Sequence, residues 1–134
     1  MDDCIFCKII KGDIPSSKVY EDEHTYAFLD INPVSEYHTL VIPKKHCVNI
    51  FDIGEDEIAH AARTVRKLAG LYSEKLGINN AQIICSSGRE AQQDVMHLHF
   101  HIVPRASGDG NNIQWKTHPE WRDGFDKLLE RIAI

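Results

Sequence analysis

The chain has 134 residues, of which 43% are hydrophobic and 26% charged, and this composition is typical of one globular domain spanning residues 1–134. Fifteen Lys and Arg against 20 Asp and Glu give a net charge of −5, which argues against a protein that binds nucleic-acid polymers. Single phosphorylated ligands stay compatible with this charge, because backbone N–H groups can hold a phosphate. The unusual feature is the number of histidines, which is eight.

Two features of the sequence bear on the cellular compartment. The first dozen residues contain several aspartates and lysines, so they lack the apolar stretch of a secretory signal. No apolar run approaches the ~18 residues of a membrane-spanning helix. We therefore expect a cytoplasmic protein without membrane contact, whose cysteines are reduced thiols.

The first half of the chain predicts a short helix followed by strands. Residues 4–11 fit a helix of one or two turns that ends at Gly12. Residues 19–21 and Thr25–Leu29 are predicted strands separated by a turn-prone acidic segment. Residues 39–42 are apolar and β-branched, which favours a third strand that ends at Pro43.

The second half predicts one long helix, two strands and a final helix. Apolar residues recur at three- and four-residue steps across Glu55–Leu76, with acidic residues in the first turn and Gly77 after the end. Residues 81–85 and 95–103 are predicted strands joined by a polar loop. Pro119 opens a last helix, whose apolar side is formed by Phe125, Leu128, Leu129 and Ile132. This order predicts an α+β domain with a mainly antiparallel sheet.

Residues 97–103, with the sequence His-Leu-His-Phe-His-Ile-Val, carry the strongest functional signal. In a strand, alternate side chains share a face, so His97, His99 and His101 would lie on one face, ~7 Å apart per step. The apolar residues between them would face the core. A solvated strand face, a metal site and nucleophilic chemistry at phosphorus are the three interpretations. Imidazole suits the last two, because it is mostly neutral at pH 7 and forms covalent intermediates.

The polar loop before this strand and the two N-terminal cysteines add further candidates. The loop contains hydroxyl and amide side chains around Gly88, and such a loop can hold a phosphate through N–H donors. Cys4 and Cys7 have the C-x2-C spacing of a metal or redox motif.

The histidine-rich segment resembles the motif of the histidine triad (HIT) superfamily. The segments 4–15, 28–33 and 38–46 are similar to its nucleotide-binding Hint branch, and residues 115–118 are similar to the bacterial members of that branch. The resemblance implies a HIT fold with a five-stranded sheet, one long helix and short terminal helices. It also implies a homodimer with the long helix and strand 81–85 at the interface, and hydrolysis of purine nucleoside phosphoramidates and related nucleotidyl conjugates.

The same resemblance assigns catalytic roles to four histidines. His99 would attack the α-phosphorus to give a nucleotidyl-histidine, which water then hydrolyses. His101 would contact the phosphate, His97 would support the geometry of the triad, and His38 would orient its neighbours.

A second set of residues would bind the nucleotide. Asp30 would hold the ribose hydroxyls, since a carboxylate accepts two O–H bonds. The residues implied for the base pocket and the phosphate loop are Phe6, Ile14, Phe28, Ile31, Ser86 and Gln93.

The phosphate loop departs from the family pattern at three positions. Ser86 stands where relatives usually carry Asn, Gln92 where they carry Gly, and Asp94 where they carry a hydroxyl or small apolar residue. A side chain at Gln92 removes backbone freedom, and Asp94 puts a carboxylate where an anionic ligand is expected.

For the metal, bacterial relatives with this cysteine pair imply a structural zinc held by Cys4, Cys7, His46 and His97. A thiol redox pair and two unlinked cysteines are the competing interpretations. With zinc on His97, that residue would be structural, and only His99 and His101 would face the substrate.

Two other functions are alternatives to the phosphoramidate hydrolase. One is a dinucleoside polyphosphate hydrolase of another HIT branch. The other is a non-catalytic nucleotide or zinc sensor, which the altered loop motivates. His24, His60 and His118 have no role in any of these, and we expect Cys47 and Cys85 in the core.

Overall fold

A computed structural model describes residues 3–134, and in this part of the chain five strands form one antiparallel sheet in the order β1-β2-β3-β5-β4. The strands are β1 (Lys18–Glu21), β2 (Thr25–Leu29), β3 (Thr39–Pro43), β4 (Ala81–Ile84) and β5 (Phe100–Pro104). The helices are α1 (Ile5–Lys11), α2 (Glu55–Leu76) and α3 (Phe125–Arg131), and 3-10 turns cover Arg89–Ala91 and Pro119–Gly124. The predicted α+β class is confirmed.

The long helix α2 lies across one face of the sheet. Its apolar stripe packs Val65 and Leu68 against Val41 and Ile102 of the central strands. Two buried hydroxyl pairs add polar contacts between helix and sheet, Thr25 with Thr64 and Thr39 with Tyr72, and their oxygens lie 2.8 and 2.7 Å apart. This face of the sheet is therefore closed by α2.

The short helix α1 packs on the opposite face. It begins at Cys4, whose Sγ accepts the backbone N–H of Cys7 at 3.3 Å, and it ends at Gly12 in the left-handed conformation (φ 85°). Phe6 and Ile9 are its buried residues, and they join the aromatic and aliphatic side chains of β2 and β3 on that face. Because α1 covers only part of the face, a cavity is left between the helix and the sheet.

The prediction of a strand over residues 95–103 is wrong at its start, since β5 begins only at Phe100. The partner strand β3 ends at Pro43, opposite the position of Leu98 in the antiparallel register. The backbone N–H of Leu98 donates instead to the carbonyl of Cys47 at 2.9 Å. His97 and His99 therefore lie in an irregular segment before the strand, and strict alternation applies only from Phe100 onward.

The C-terminal segment also differs from its prediction. Residues after Pro119 form a 3-10 turn before α3, and the apolar side chains of the predicted helix face are all exposed. Across residues 3–134, no helix is both long enough and apolar enough to cross a membrane.

Candidate functional site

The cavity between α1 and the sheet has a volume of about 200 Å³. Its wall combines apolar side chains with the carboxylates of Asp30 and Asp94 and two imidazoles. The residues that the sequence analysis assigned to a nucleotide and that line it are Phe6, Ile14, Phe28, Asp30, Ile31, His99 and His101. The phenyl rings of Phe6 and Phe28 are buried and meet edge to face, with centroids 5.5 Å apart.

His99 is buried, and its ring is held in one orientation by two neighbours. Its Nδ1 lies 2.8 Å from the backbone carbonyl oxygen of His97, and the edge of its ring contacts Phe6 at a centroid distance of 5.2 Å. A carbonyl only accepts hydrogen bonds, so Nδ1 carries the proton. In the neutral ring, Nε2 therefore has a free lone pair, as a nucleophile requires.

His101 and His38 form a second pair of imidazoles, with His38 Nε2 2.9 Å from His101 Nδ1. The backbone N–H of Val34 donates to His38 Nδ1 at 3.2 Å, so that nitrogen has no proton. Neutral His38 therefore carries its proton on Nε2 and donates it to His101 Nδ1. His101 in turn keeps its proton on Nε2, which makes it a hydrogen-bond donor toward an anionic ligand.

Burial keeps both rings of this pair neutral. It lowers the pKa of His101 to about 4, and the neighbouring His99 and His38 add to this effect. Burial also lowers the pKa of His38, although the nearby carboxylate of Asp30 opposes the shift. At neutral pH this pair therefore presents oriented imidazole dipoles and not imidazolium charges.

Asp30 follows β2 directly and lies at the cavity wall. Its Oδ1 accepts the backbone N–H of Asn32 at 2.8 Å, and its Oδ2 lies 3.5 Å from His38 Nε2. The first contact fixes the carboxylate, and the second links it to the histidine pair. The carboxylate still has lone pairs for ligand hydroxyl groups.

The polar loop after β4 is closed on itself. Gln93 is buried, and its Oε1 accepts the backbone N–H of Gly88 at 2.8 Å. Its Nε2 donates to the carbonyls of Val48 and Val95, at 2.6 and 3.0 Å. Gln93 therefore braces the loop from within, and neither it nor Ser86 is among the residues that line the cavity.

Gln92 has the backbone conformation that the family pattern would give to glycine. Its φ of 72° and ψ of 26° place it in the left-handed region. This conformation is strained by roughly 1–2 kcal/mol for a residue with a Cβ. The departure from glycine thus affects the backbone of the loop and not the cavity.

Asp94 lies beside His99 at the mouth of the cavity. Its Oδ1 is 3.4 Å from His99 Nε2, the nitrogen with the free lone pair, and its side chain is 79% exposed. The same oxygen accepts the backbone N–H of Val95 at 2.9 Å. The carboxylate that the sequence analysis singled out is therefore directed toward the candidate nucleophile.

A second cluster lies behind the cavity and contains Cys4, Cys7, His46 and His97, whose ligand atoms are within 4.8 Å of one another. His97 Nδ1 is 3.3 Å from Cys4 Sγ, 3.6 Å from Cys7 Sγ and 3.2 Å from His46 Nδ1. Tetrahedral zinc with bonds of about 2.3 Å to sulfur and 2.0–2.1 Å to nitrogen needs edges of roughly 3.3 Å between two nitrogens, 3.6 Å between nitrogen and sulfur and 3.8 Å between two sulfurs. The donor set and its spacing therefore fit a Cys2His2 zinc site.

His97 connects this cluster to the cavity. It is fully buried, and its Nε2 donates to the carbonyl of Pro43 at 2.8 Å, which leaves Nδ1 free for a metal. Burial lowers the pKa of His97 to about 4. Its side chain belongs to the cluster, while its backbone carbonyl holds His99.

The remaining histidines and cysteines lie elsewhere. His24 stacks on His60 at a centroid distance of 3.7 Å, and His118 stacks on Trp121 at 4.1 Å. Cys47 is buried as expected, whereas Cys85 is only half-buried. The roles of the backbone groups of Val34 and Pro43 could not be predicted from sequence, because main-chain donors and acceptors leave no signal in residue type.

The structure has three closely spaced histidines between an antiparallel sheet and a short helix. They lie beside a cavity whose wall contains both apolar side chains and carboxylates. These features define a histidine triad domain. The model of the HIT domain matches residues 11–108, which is most of the chain. Protein hit of Bacillus subtilis is 48% identical over 124 residues, covering 89% of this chain and 83% of that protein. The chain belongs to the HIT family.

Two further relatives bear on the site. The adenosine 5'-monophosphoramidase of Schizosaccharomyces pombe is 39% identical over 131 residues, covering 97% of this chain and 96% of that protein. A zinc-bound histidine triad family protein from Mycobacterium smegmatis has the same fold, with a TM-score of 0.78 and 34% identity, covering 97% of this chain and 98% of that one.

Proposed function

We propose that this protein is a nucleotide hydrolase that cleaves purine nucleoside phosphoramidates through a nucleotidyl intermediate on His99. The observation that carries the proposal is the bond from His99 Nδ1 to the His97 carbonyl, which leaves the lone pair on Nε2 at the cavity. A relative covered almost end to end is an adenosine 5'-monophosphoramidase, and this supports the substrate class.

The first step would form a bond between His99 Nε2 and the α-phosphorus while the bond from phosphorus to the amine breaks. The amine takes up a proton from solvent at the mouth of the cavity as it leaves, and the water that attacks later returns one proton to solvent. Water then attacks the phosphorus, which releases the nucleoside monophosphate and restores His99. Phosphoryl transfer depends mainly on positioned donors, and the proton on His101 Nε2 is such a donor for a phosphate oxygen.

The nucleotide would lie along the cavity with its ribose at Asp30. The two phenyl rings of Phe6 and Phe28 with Ile14 and Ile31 provide an apolar surface for a purine. Ser86 and Gln93 would act indirectly, by shaping the loop that precedes the histidines.

We further propose that zinc occupies the cluster of Cys4, Cys7, His46 and His97 as a structural ion. All four ligand positions are filled by protein, as in structural and not catalytic zinc sites. The ion would fix the start of α1 to the segment before β5, and thereby the carbonyl that orients His99.

We also propose a homodimer that pairs along β4 and α2. β4 is an edge strand with β5 as its neighbour, and its Ile83 side chain is 48% exposed. An open edge with an apolar side chain favours pairing with a second chain. The molar mass from light scattering tests this directly, and a monomer at micromolar concentration would contradict it.

The activity test compares the wild-type protein with His99→Ala on adenosine phosphoramidate. We expect the variant to lose at least ~10³-fold in AMP release, because the nucleophile is absent. His24→Ala is the matched control, since it removes an exposed imidazole outside the cavity. Wild-type turnover in His99→Ala, with the fold confirmed by circular dichroism, would refute the proposal.

A further inference from the structure

Asp94 lies where two clefts meet. Its side chain lines the nucleotide cavity and also a neighbouring open cleft of about 420 Å³. The wall of the second cleft combines the carboxylate of Asp3 with the apolar side chains of Ile5, Val48 and Met96. Among residues 3–134, Cys4 and His46 of the metal cluster also line this cleft, and no Lys or Arg does. This cleft is therefore partly apolar and negatively charged.

The contacts of Asp94 leave its carboxylate without a cationic partner. In the part of the chain from residue 3 to 134, its ionisable neighbour within 4 Å is His99, at 3.4 Å from Nε2. Because the His97 carbonyl keeps the proton of His99 on Nδ1, Nε2 and the Asp94 carboxylate are two acceptors that face each other. A ligand group with a positive charge or with N–H donors would therefore bind favourably between these two acceptors.

The reaction brings the leaving group close to this carboxylate. In phosphoryl transfer the attacking and leaving atoms lie roughly in line, at most ~5 Å apart across the phosphorus. A carboxylate 3.4 Å from the attacking nitrogen is therefore within Coulomb range of the leaving group. The second cleft starts at Asp94 and gives the rest of the leaving group a place outside the nucleotide cavity.

We propose that Asp94 and the neighbouring cleft form a leaving-group subsite for amines that carry a further positive charge, such as alkyl diamines. The same carboxylate disfavours anionic leaving groups, including the phosphates of a dinucleoside polyphosphate. The inference rests on the proposed phosphoramidate hydrolysis and specifies the charge of the preferred leaving group. Asp94 acts as a specificity determinant and takes no covalent part.

The test uses three adenosine 5'-phosphoramidates whose four-carbon amine chains end in an ammonium, a methyl or a carboxylate group. We measure kcat/KM for each with wild-type protein, Asp94→Asn and Asp94→Lys. We expect the wild-type protein to prefer the cationic over the anionic substrate by about tenfold at low salt. Asp94 is exposed, so at ~6–7 Å in a water-like dielectric the attraction of the ammonium and the repulsion of the carboxylate each change kcat/KM by roughly threefold. Asp94→Asn reduces this ratio to within about threefold, and Asp94→Lys inverts it.

Asp56→Asn is the matched control, because it removes one exposed carboxylate at the start of α2, away from both clefts. Its cation-to-anion ratio should equal the wild-type ratio, and added salt should lower the ratio only where Asp94 is present. An unchanged ratio in Asp94→Asn, with all three substrates turned over, refutes the subsite and leaves the hydrolase intact. Absence of turnover on every phosphoramidate refutes the hydrolase and this inference together.

Discussion

The Nδ1 atom of His99 lies 2.8 Å from the backbone carbonyl oxygen of His97, so a residue of the candidate metal cluster holds the ring of the candidate nucleophile. A second backbone group acts on the other imidazoles, since the N–H of Val34 donates to His38 and thereby sets the proton positions of His38 and His101. The two cavity histidines are consequently in opposite tautomers. This arrangement places one lone pair and one N–H donor at the wall of the same cavity.

The opposite tautomers are the first prediction. In ¹⁵N-labelled protein at pH 7.5, the His99 ring should show its proton on Nδ1 and the His101 ring on Nε2. The His97 carbonyl fixes the first proton, and the second is fixed by His38, which the Val34 N–H orients. Two-bond ¹H–¹⁵N correlation spectra distinguish the two patterns, with His101→Asn used for assignment. The exposed His24 ring serves as an internal reference. The same tautomer in both rings would contradict the assignment.

The second prediction concerns the metal cluster. Cys7→Ser should lower the zinc content well below one ion per chain and destabilise the fold by roughly 3 kcal/mol, the range in which loss of a metal falls. The change removes one of four ligands, while the backbone N–H of residue 7 that donates to Cys4 at the start of α1 is kept. Metal analysis by mass spectrometry and thermal unfolding measure the two effects.

Cys85→Ser is the control for this experiment. Cys85 is half-buried and lies outside the cluster, so its substitution should leave the zinc content unchanged. Equal zinc content in Cys7→Ser and wild-type protein would show that Cys7 is not a ligand.

The third prediction is a loss of stability in mild acid. The pKa of His101 falls from 6.5 to about 4 on folding, because burial disfavours the charged ring. Between these values the unfolded chain binds a proton that the folded chain does not, so the stabilisation present above pH 6.5 is lost as the pH falls toward 4. Between pH 7 and 5 this single group accounts for at most about 2 kcal/mol.

Urea unfolding of wild-type protein and His101→Asn, each at pH 7 and pH 5, measures this contribution. The variant should lose less stability than the wild-type protein over this interval, since it lacks one titrating group. An equal loss in both proteins would assign the pH dependence to other groups.

Much of the fold follows from local sequence patterns. The long periodic run of α2 and the β-branched run of β3 predict their elements closely, because each pattern extends over the whole element. The start of β5 could not be predicted in this way. Residues 95–99 have strand-like alternation, but Pro43 ends the partner strand, and the N–H of Leu98 bonds to Cys47.

The same limit applies to the site. The residue types of the histidine segment indicate an imidazole-based centre, and the cavity brings Asp30, His99 and His101 together. The side chain of His97 belongs to the metal cluster, whereas that of His99 faces the cavity. These two orientations depend on hydrogen bonds to main-chain carbonyls, which the sequence does not reveal. Gln93 has the residue type of a ligand-binding amide, yet its side chain hydrogen-bonds to the main chain of Gly88, Val48 and Val95.

The last prediction tests Asp30 as the ribose acceptor. With His99→Ala protein, which cannot form the intermediate, AMP should bind about tenfold or more tightly than 2'-deoxy-AMP, since hydrogen bonds to a charged group contribute roughly 1.5–3 kcal/mol. In His99→Ala/Asp30→Ala this discrimination should disappear, because the carboxylate that accepts the hydrogen bond from the hydroxyl group is gone.

Asp22→Ala is unsuitable as a control, because Asp22 caps the turn before β2. Asp56→Asn removes a carboxylate without known contacts among the described residues and should preserve the discrimination. Equal affinity of AMP and 2'-deoxy-AMP for the parent protein, measured by calorimetry, would place the ribose elsewhere in the cavity.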